Sequence, residues 1–315
     1  MVFNLTTSNG AGHIDGFCKS YDRSYGRTMN EATYHDCVQR GIAWPGAYLF
    51  GDHWRMNRTQ IGFARLLWDK LAAMGDSFRL FNNPHSQLGR YGFLKALKAD
   101  GINDFDVHRA IEPGAEIRYP VFLRREYDHA GPLTDLLEDA GALRRALDRL
   151  ILAGNDPREL LIIEYVETVC PDGIYRKHGV MRIGDVIFPH HIMAAREWHT
   201  KADVRIRTEE AIGESDAFTL ANPHADLVMP IFERAGIEYG RIDYAMVGGR
   251  IQVWEINDNP IFMHMGARPQ SHLNRHVTIK AAFDRLSQDL PRGEPVRFEF
   301  TPEEVWGVLR AGVAA

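Results

Sequence analysis

Only three cysteines, Cys18, Cys37 and Cys170, occur among the 315 residues, an odd number at wide spacings. Such a set frames no disulfide scaffold and matches no zinc-ligand pattern, so all three are expected as reduced thiols. No apolar run approaches the ~20 residues of a membrane span. The opening MVFNLTTSNGAGHIDG also lacks the basic segment and apolar core of a secretory signal. The expected location is therefore the cytoplasm, without a membrane partner. Positive charge is not in excess either, the formal net charge being -5. A mildly acidic surface exerts no long-range pull on nucleic acid or an anionic bilayer, which excludes general affinity for either. Neither a dinucleotide fingerprint nor a phosphate loop ending in Gly-Lys-Ser/Thr is present, and there is no internal repeat. The glycosylation sequons at Asn4 and Asn57 are too short to carry meaning.

What is present is an ordinary globular composition, 45% hydrophobic and 25% charged, in a chain long enough for two or three domains. Residues 1–45 show no clear periodicity and read as irregular structure with short elements. From Gly46 the pattern sharpens. AYLF reads as a buried strand, RTQIGFARLLWDKLAAMG as a helix capped at Gly75, and FRLFN as a strand, a small α/β unit ending near Pro84. A second unit follows: the helix GRYGFLKALKADGI stopped at Gly101, the strand RYPVFLRRE, the loop DHAGPL, a helix through TDLLEDAGALRRALDRLILAG, and the strand LLIIEYVE. Beyond Pro171 come the strands YRKHGVMRIG and DVIFPHHIMA, turning at Gly184 and Asp185. The helix HADLVMPIFERAG, the strands GRIDYAMV and RIQVWEIN joined through Gly248 and Gly249, and two closing helices complete the chain.

The last strand pair carries the chemistry. Glu255 and Asn257 stand two apart in WEIN, so their side chains share a face while Ile256 takes the other. Pairing through the glycine turn brings Asp243 near Glu255. Two carboxylates and a carboxamide suit a hard divalent cation whose remaining shell is phosphate and water. A single acid on a hairpin is usually a solvated group. Three polar groups in phase within apolar runs instead call for a partner that neutralises them.

The run Gly240-Arg241-Ile242-Asp243, followed twelve positions later by Glu255-Ile256-Asn257 and then Pro260, resembles the C-terminal signature of ATP-grasp enzymes. It is most similar to that of D-alanine:D-alanine ligases and their relatives. The resemblance implies an α/β (α+β) ATP-grasp architecture that clasps ATP between two sheets. It implies an N-terminal α/β domain over 1–85 for substrate binding, a central subdomain with a lid loop over 86–165, and a C-terminal subdomain with the metal site over 166–315. Asp243, Glu255 and Asn257 would hold Mg2+, or Mn2+, on the ATP phosphates, and Arg241 would stabilise a developing oxyanion. IIEYVE resembles the family hinge. There Glu164 would accept from the adenine amino group, the backbone around Tyr165 and Val166 would bond the ring, and Glu167 would bind ribose. Alignment of FLR, and counting back from Gly101, put Arg124 and Arg90 where phosphate-binding lysines are expected. A guanidinium keeps the charge and bonds phosphate bidentately, but it is not a neutral exchange. Arg125 and Lys177 are alternative phosphate contacts, and His129 in the lid loop is a candidate for phosphate or substrate.

The implied activity is an ATP-dependent carboxylate–amine ligase working through an acyl phosphate on small-molecule or peptide substrates, with a homodimer as the expected assembly. A small-molecule kinase, a nucleotide binder without catalysis and a metal protein without nucleotide compete with it. Asp258-Asn259-Pro260-Ile261 departs from the Thr-Ser-Pro-Gly of D-alanine:D-alanine ligases, so that peptide product is not assigned. His190 and His191 are adjacent on a strand and, with His178 and His199 nearby, are not expected to chelate together. His264, Arg268, His272 and Arg275 follow the metal motif as candidates to face substrate, and Met263 and Met265 read as packing residues.

Overall fold

The computed structural model describes residues 1–21, 28–112, 116–200, 204–262 and 270–313. Met263, His264, Met265 and Arg268 lie outside the described residues, as do the side chains of His272 and Arg275.

The chain opens with β1 (Val2–Thr6), α1 (His13–Tyr21), β2 (Met29–Thr33), α2 (Tyr34–Arg40), β3 (Ile42–Ala43), β4 (Gly46–Phe50), α3 (Arg58–Ala72) and β5 (Phe78–Phe81). These form a parallel sheet of order β2-β1-β4-β5. Residues 1–45, expected as irregular structure with short elements, do hold short elements, but β1 is an interior strand of a regular sheet. Its side chains are not apolar throughout: Asn4 and Thr6 are buried, which hides the strand from a hydrophobicity pattern. Asn57 is the N-cap of α3 in a reciprocal capping box with Gln60. That helix is closed by Ala73 rather than Gly75, whose φ of +84° makes the turn into β5 instead.

The middle of the chain supplies α4 (Arg90–Ala99), β6 (Val107–Arg109), β7 (Val121–Arg125), α5 (Ala140–Leu152) and β8 (Leu160–Glu164), with an antiparallel sheet ordered β6-β8-β7. The helix expected from Thr134 starts only at Ala140. Asp139 caps it by accepting from the Ala142 N–H at 2.8 Å, while Leu137 exchanges backbone bonds with Val121.

Then come β9 (Tyr175–Ile183), β10 (Val186–Ala195), α6 (Glu209–Ala221), α7 (Ala225–Ala235), β11 (Tyr239–Val247) and β12 (Arg250–Asn257), with an antiparallel sheet ordered β10-β9-β11-β12. Helix α6 was not read from the sequence because its apolar residues form no stripe. The closing elements are α8 (Gln270–Leu286), β13 (Val296–Arg297) and α9 (Pro302–Val313). They return to the start of the chain. β13 pairs with β3, and α9 packs on α3, where a Cβ on Gly62 would lie 2.6 Å from Val308 Cγ1.

Under β9 and β11 the His178 ring stacks on Tyr244 at 5.2 Å and meets Phe218 edge-on. Burial, helped by His224, lowers the His178 pKa to about 4. Between the ordinary value of about 6.5 and about 4 the unfolded chain carries a proton that the folded chain lacks, so stability falls as pH drops through this window. The expected loss is about 3 kcal/mol between pH 7 and pH 4. Urea unfolding at the two pH values should show that dependence reduced by about this amount in His178→Phe; an unchanged dependence would contradict it.

Candidate active site

Asp243 and Glu255 face each other in register across the β11–β12 hairpin, with Arg241 opposite Asn257. The strands approach closely at Gly240, where an added Cβ would lie 3.0 Å from the Asn257 carbonyl oxygen. A bulge follows: Asp243 pairs with Glu255, but Tyr244 pairs with Val253, leaving Trp254 as the extra residue. Val253 therefore faces the core although it lies only two positions before Glu255, and Trp254 and Glu255 both line the cleft.

Neither carboxylate stands alone. Glu255 Oε2 accepts from Arg90 Nη2 at 3.1 Å and Arg124 Nη2 at 3.3 Å, with His129 Nδ1 at 3.5 Å. Burial by itself would raise the Glu255 carboxyl, but His129, Arg124 and Lys177 overcome it and hold the group well below the usual carboxylate range. Arg124, buried on β7, has its own pKa lowered by desolvation against the pull of Glu255. Arg90, the first residue of α4, lies over the Trp54 ring at 5.1 Å. On the hairpin's other strand, Asp243 is held by Lys177 Nζ at 3.2 Å and Arg241 Nε at 2.9 Å. Five cationic or potentially cationic side chains thus surround two acids. Several of their nitrogens are buried without a partner: Arg90 Nε and Nη1, Arg124 Nε and His129 Nε2. Buried donors in that state are a site prepared for anionic oxygens.

The cleft lies between the β6-β8-β7 sheet and the β10-β9-β11-β12 sheet. Its walls include Arg124, His129, Lys177, Asp243 and Glu255 at one end and Ile163, Tyr165, Val166 and Thr168 at the hinge. Trp198 and Trp254, which line it too, were not foreseen. Trp198 gave no motif, and the bulge removes Trp254 from the alternation that would have pointed to it.

Two residues of the hinge already have partners within the protein. Glu164 reaches the cleft, but its carboxylate is taken by the backbone N–H groups of Arg118 at 2.9 Å and Asp106 at 3.1 Å. Glu167 is absent from the walls, and its Oε1 accepts from the Thr168 and Val169 N–H groups and the Tyr165 hydroxyl. Thr168 lines the cleft beside it. Arg125 is likewise turned away, donating to Asn155 Oδ1. Arg241 donates to Asp243 and pairs in register with Asn257, and Arg241 and Asn257, unlike Asp243, do not line the cleft.

On the same sheet His191 pairs with Gly179, which pairs with Asp243. The His191 ring fills the space a side chain would need there, since a Cβ on Gly179 would be 2.6 Å from its Cε1. A register shift between Pro189 and His191 lets the His190 and His191 rings meet, Nδ1 to Nδ1 at 2.7 Å, instead of facing opposite ways. Among the described residues no three His, Cys, Asp or Glu side chains gather as a metal site. The donor set on the hairpin is two carboxylates and one carboxamide, whose Oδ1 also accepts from the Asn259 N–H at 3.0 Å. Those hard oxygens fit magnesium that draws its remaining ligands from phosphate and water.

Just past Asn257 the chain enters a buried polar network. Asp258 Oδ2 accepts from the His53 N–H and Gln87 Nε2, both at 2.9 Å. Asn259 donates to the Gly10 carbonyl at 2.8 Å and Asp52 Oδ1 at 3.1 Å, and accepts from Asn4 Nδ2 at 3.1 Å. The carboxylate end of β12 is thereby fixed to the parallel sheet.

Two sheets gripping a cleft, with an acidic hairpin on one side and a basic strand and loop on the other, define the ATP-grasp fold, and this chain has it. The D-alanine–D-alanine ligase of Bacillus anthracis, solved as a complex with ATP, superposes with a TM-score of 0.54 at 11% identity, over 91% of this chain and 97% of that one. A RimK domain ATP-grasp protein of Sphaerobacter thermophilus gives 0.51 at 14% identity, over 91% and 100%. The ATP-grasp ligase PsnB, solved with a phosphomimetic variant of its minimal precursor, Mg and ADP, gives 0.50 at 13%, over 89% and 97%. No protein-family model matches the sequence, and no curated protein does. Among the described residues no helix is long and apolar enough to cross a membrane.

Proposed function

We propose that the protein is an ATP-dependent ligase that joins a carboxylate to an amine through an acyl phosphate. The observation that carries this reading is the opposition of Asp243 and Glu255 in register, beneath buried cations that still have unpartnered nitrogens. Two of the structural neighbours are ligases by name, one solved with ATP and the other with Mg and ADP, which supports the same chemistry here. The reading keeps the division of the chain at 1–85, 86–165 and 166–315.

In this scheme the hinge around Tyr165 and Val166 holds the base by its backbone, and Trp254 and Trp198 cover it. Arg90, Arg124 and Lys177 turn from the carboxylates to the phosphate oxygens. Asp243, Glu255 and Asn257 hold magnesium, which when bound draws charge off the phosphates. The substrate carboxylate attacks the γ-phosphorus, and the acyl phosphate so formed is attacked by the amine. Arg241, two residues before Asp243 on the same face, stabilises the oxyanion of that second step with charge already in place. His129 and the loop around it keep water from the hydrolysable intermediate.

Magnesium with a non-hydrolysable ATP analogue should raise the melting temperature. At a hundredfold excess over Kd the expected stabilisation is about 2.7 kcal/mol. Phosphate release should then require an acid and an amine together. Turnover with a single acceptor would mark a kinase, and stabilisation without turnover under any pairing of acids and amines would mark a binding protein. No stabilisation at all would overturn the ATP reading.

A further inference from the structure

A second groove opens beside the cleft, between α3, α9 and the chain just before His129. Met56, Ile61, Leu66, Leu88 and Val308 give it apolar walls. Its acidic side chains already hold cations: Glu126 is forked by Arg109 at 2.6 and 3.1 Å, Asp69 meets His85 at 2.9 Å, and Glu304 meets Lys70 at 2.7 Å.

At its inner end lies His53, whose side chain is 4% exposed. Nδ1 sits 3.1 Å from Asp258 Oδ2, and Nε2 is buried with no partner. Asp258 directly follows Asn257, and Trp54, directly after His53, carries on its ring the Arg90 that reaches Glu255. A buried imidazole nitrogen without a partner, oriented by a carboxylate and standing between an apolar groove and the metal-binding hairpin, is arranged to take a proton from something that arrives through the groove.

We propose that this groove admits the amine substrate, a primary amine on an apolar chain, and that His53 accepts its proton as it attacks. The assignment rests on the ligase reading above. The amine nitrogen forms the new C–N bond at the acyl carbon, the carbonyl pair moves onto oxygen, and the surplus N–H proton passes to His53 Nε2. The oxyanion then collapses and the C–O bond to phosphate breaks, its electron pair leaving with phosphate. Asp258 serves as a positioning residue for the imidazole.

Hydroxylamine and hexylamine separate the two steps. Hydroxylamine is small, is largely unprotonated at neutral pH and traps an acyl phosphate as a hydroxamate without needing a base. The carboxylate is the one, among the common amino acids and short dicarboxylic acids, that gives most hydroxamate with the native protein and magnesium-ATP. With that acid, His53→Gln should still form hydroxamate at close to the native rate, while amide formation from hexylamine falls by about 10²- to 10⁴-fold. Leu66→Trp, which narrows the groove and leaves His53 in place, should lose hexylamine and keep hydroxylamine. Equal loss of both reactions in His53→Gln, or unchanged hexylamine use in either variant, would overturn the assignment while leaving the ligase reading intact. Absence of hydroxamate from the native protein with every acid would instead overturn the ligase reading, and this assignment with it.

Discussion

Replacing Glu255 and Asn257 together by alanine is expected to abolish magnesium-dependent nucleotide binding. The two side chains supply two of the three protein oxygens on the hairpin, and one carboxylate is too few to hold magnesium against water. A weakening of about 10³-fold, or about 4 kcal/mol, is the expected scale. The same change removes the common partner of Arg90, Arg124 and His129. An uncompensated buried charge typically costs about 3–5 kcal/mol, so the variant should also melt earlier. The two effects separate in one experiment: the increment of melting temperature caused by magnesium with an ATP analogue should vanish, whatever the starting value. A variant that kept its full increment would remove the hairpin from the site.

Asn259→Ala is expected to damage the fold itself rather than the nucleotide site. Its carboxamide is fully buried and joins Asn4, Gly10 and Asp52. Truncation leaves a buried amide, a carbonyl and a carboxylate oxygen each short of a partner. Groups left in that state cost about 1–3 kcal/mol apiece, so a loss of about 3–5 kcal/mol in urea unfolding is expected after partial relaxation. The neighbourhood has little room to relax: a Cβ added at Gly10 would fall 1.8 Å from Asp52 Oδ2. A loss below about 1 kcal/mol would mean that water substitutes for the side chain at all three partners.

What could be read from the sequence followed the range of the interactions involved. The hairpin was legible because its turn, its alternation and its polar residues lie within nineteen consecutive positions, Tyr239 to Asn257. So were β4, β5 and the β9–β10 pair, whose patterns are local. β1 was not, because Asn4 looks like a surface residue until its partner at 259 is known. The surroundings of Glu164 were not legible either, since the amides of Asp106 and Arg118 reach it from loops distant in sequence. Arg90 and Arg124 were located only through the family resemblance. That both converge on a single oxygen of Glu255, from α4 and β7, is a property of the assembled sheets.

The network beyond Asn257 also orders the way the protein comes together. Its bonds link residues 255 and 205 positions apart, while the hairpin with its two acids closes on itself over a few residues. Long loops form at an entropic cost that local turns do not bear, and contacts of this separation dominate the slow part of folding. The acids can meet early, on a nascent hairpin, but Asn4 of β1 must wait for Asn259 to leave the ribosome before its amide finds its acceptor. The site is therefore the seam at which an earlier-made and a much later-made part of the polypeptide are sewn together.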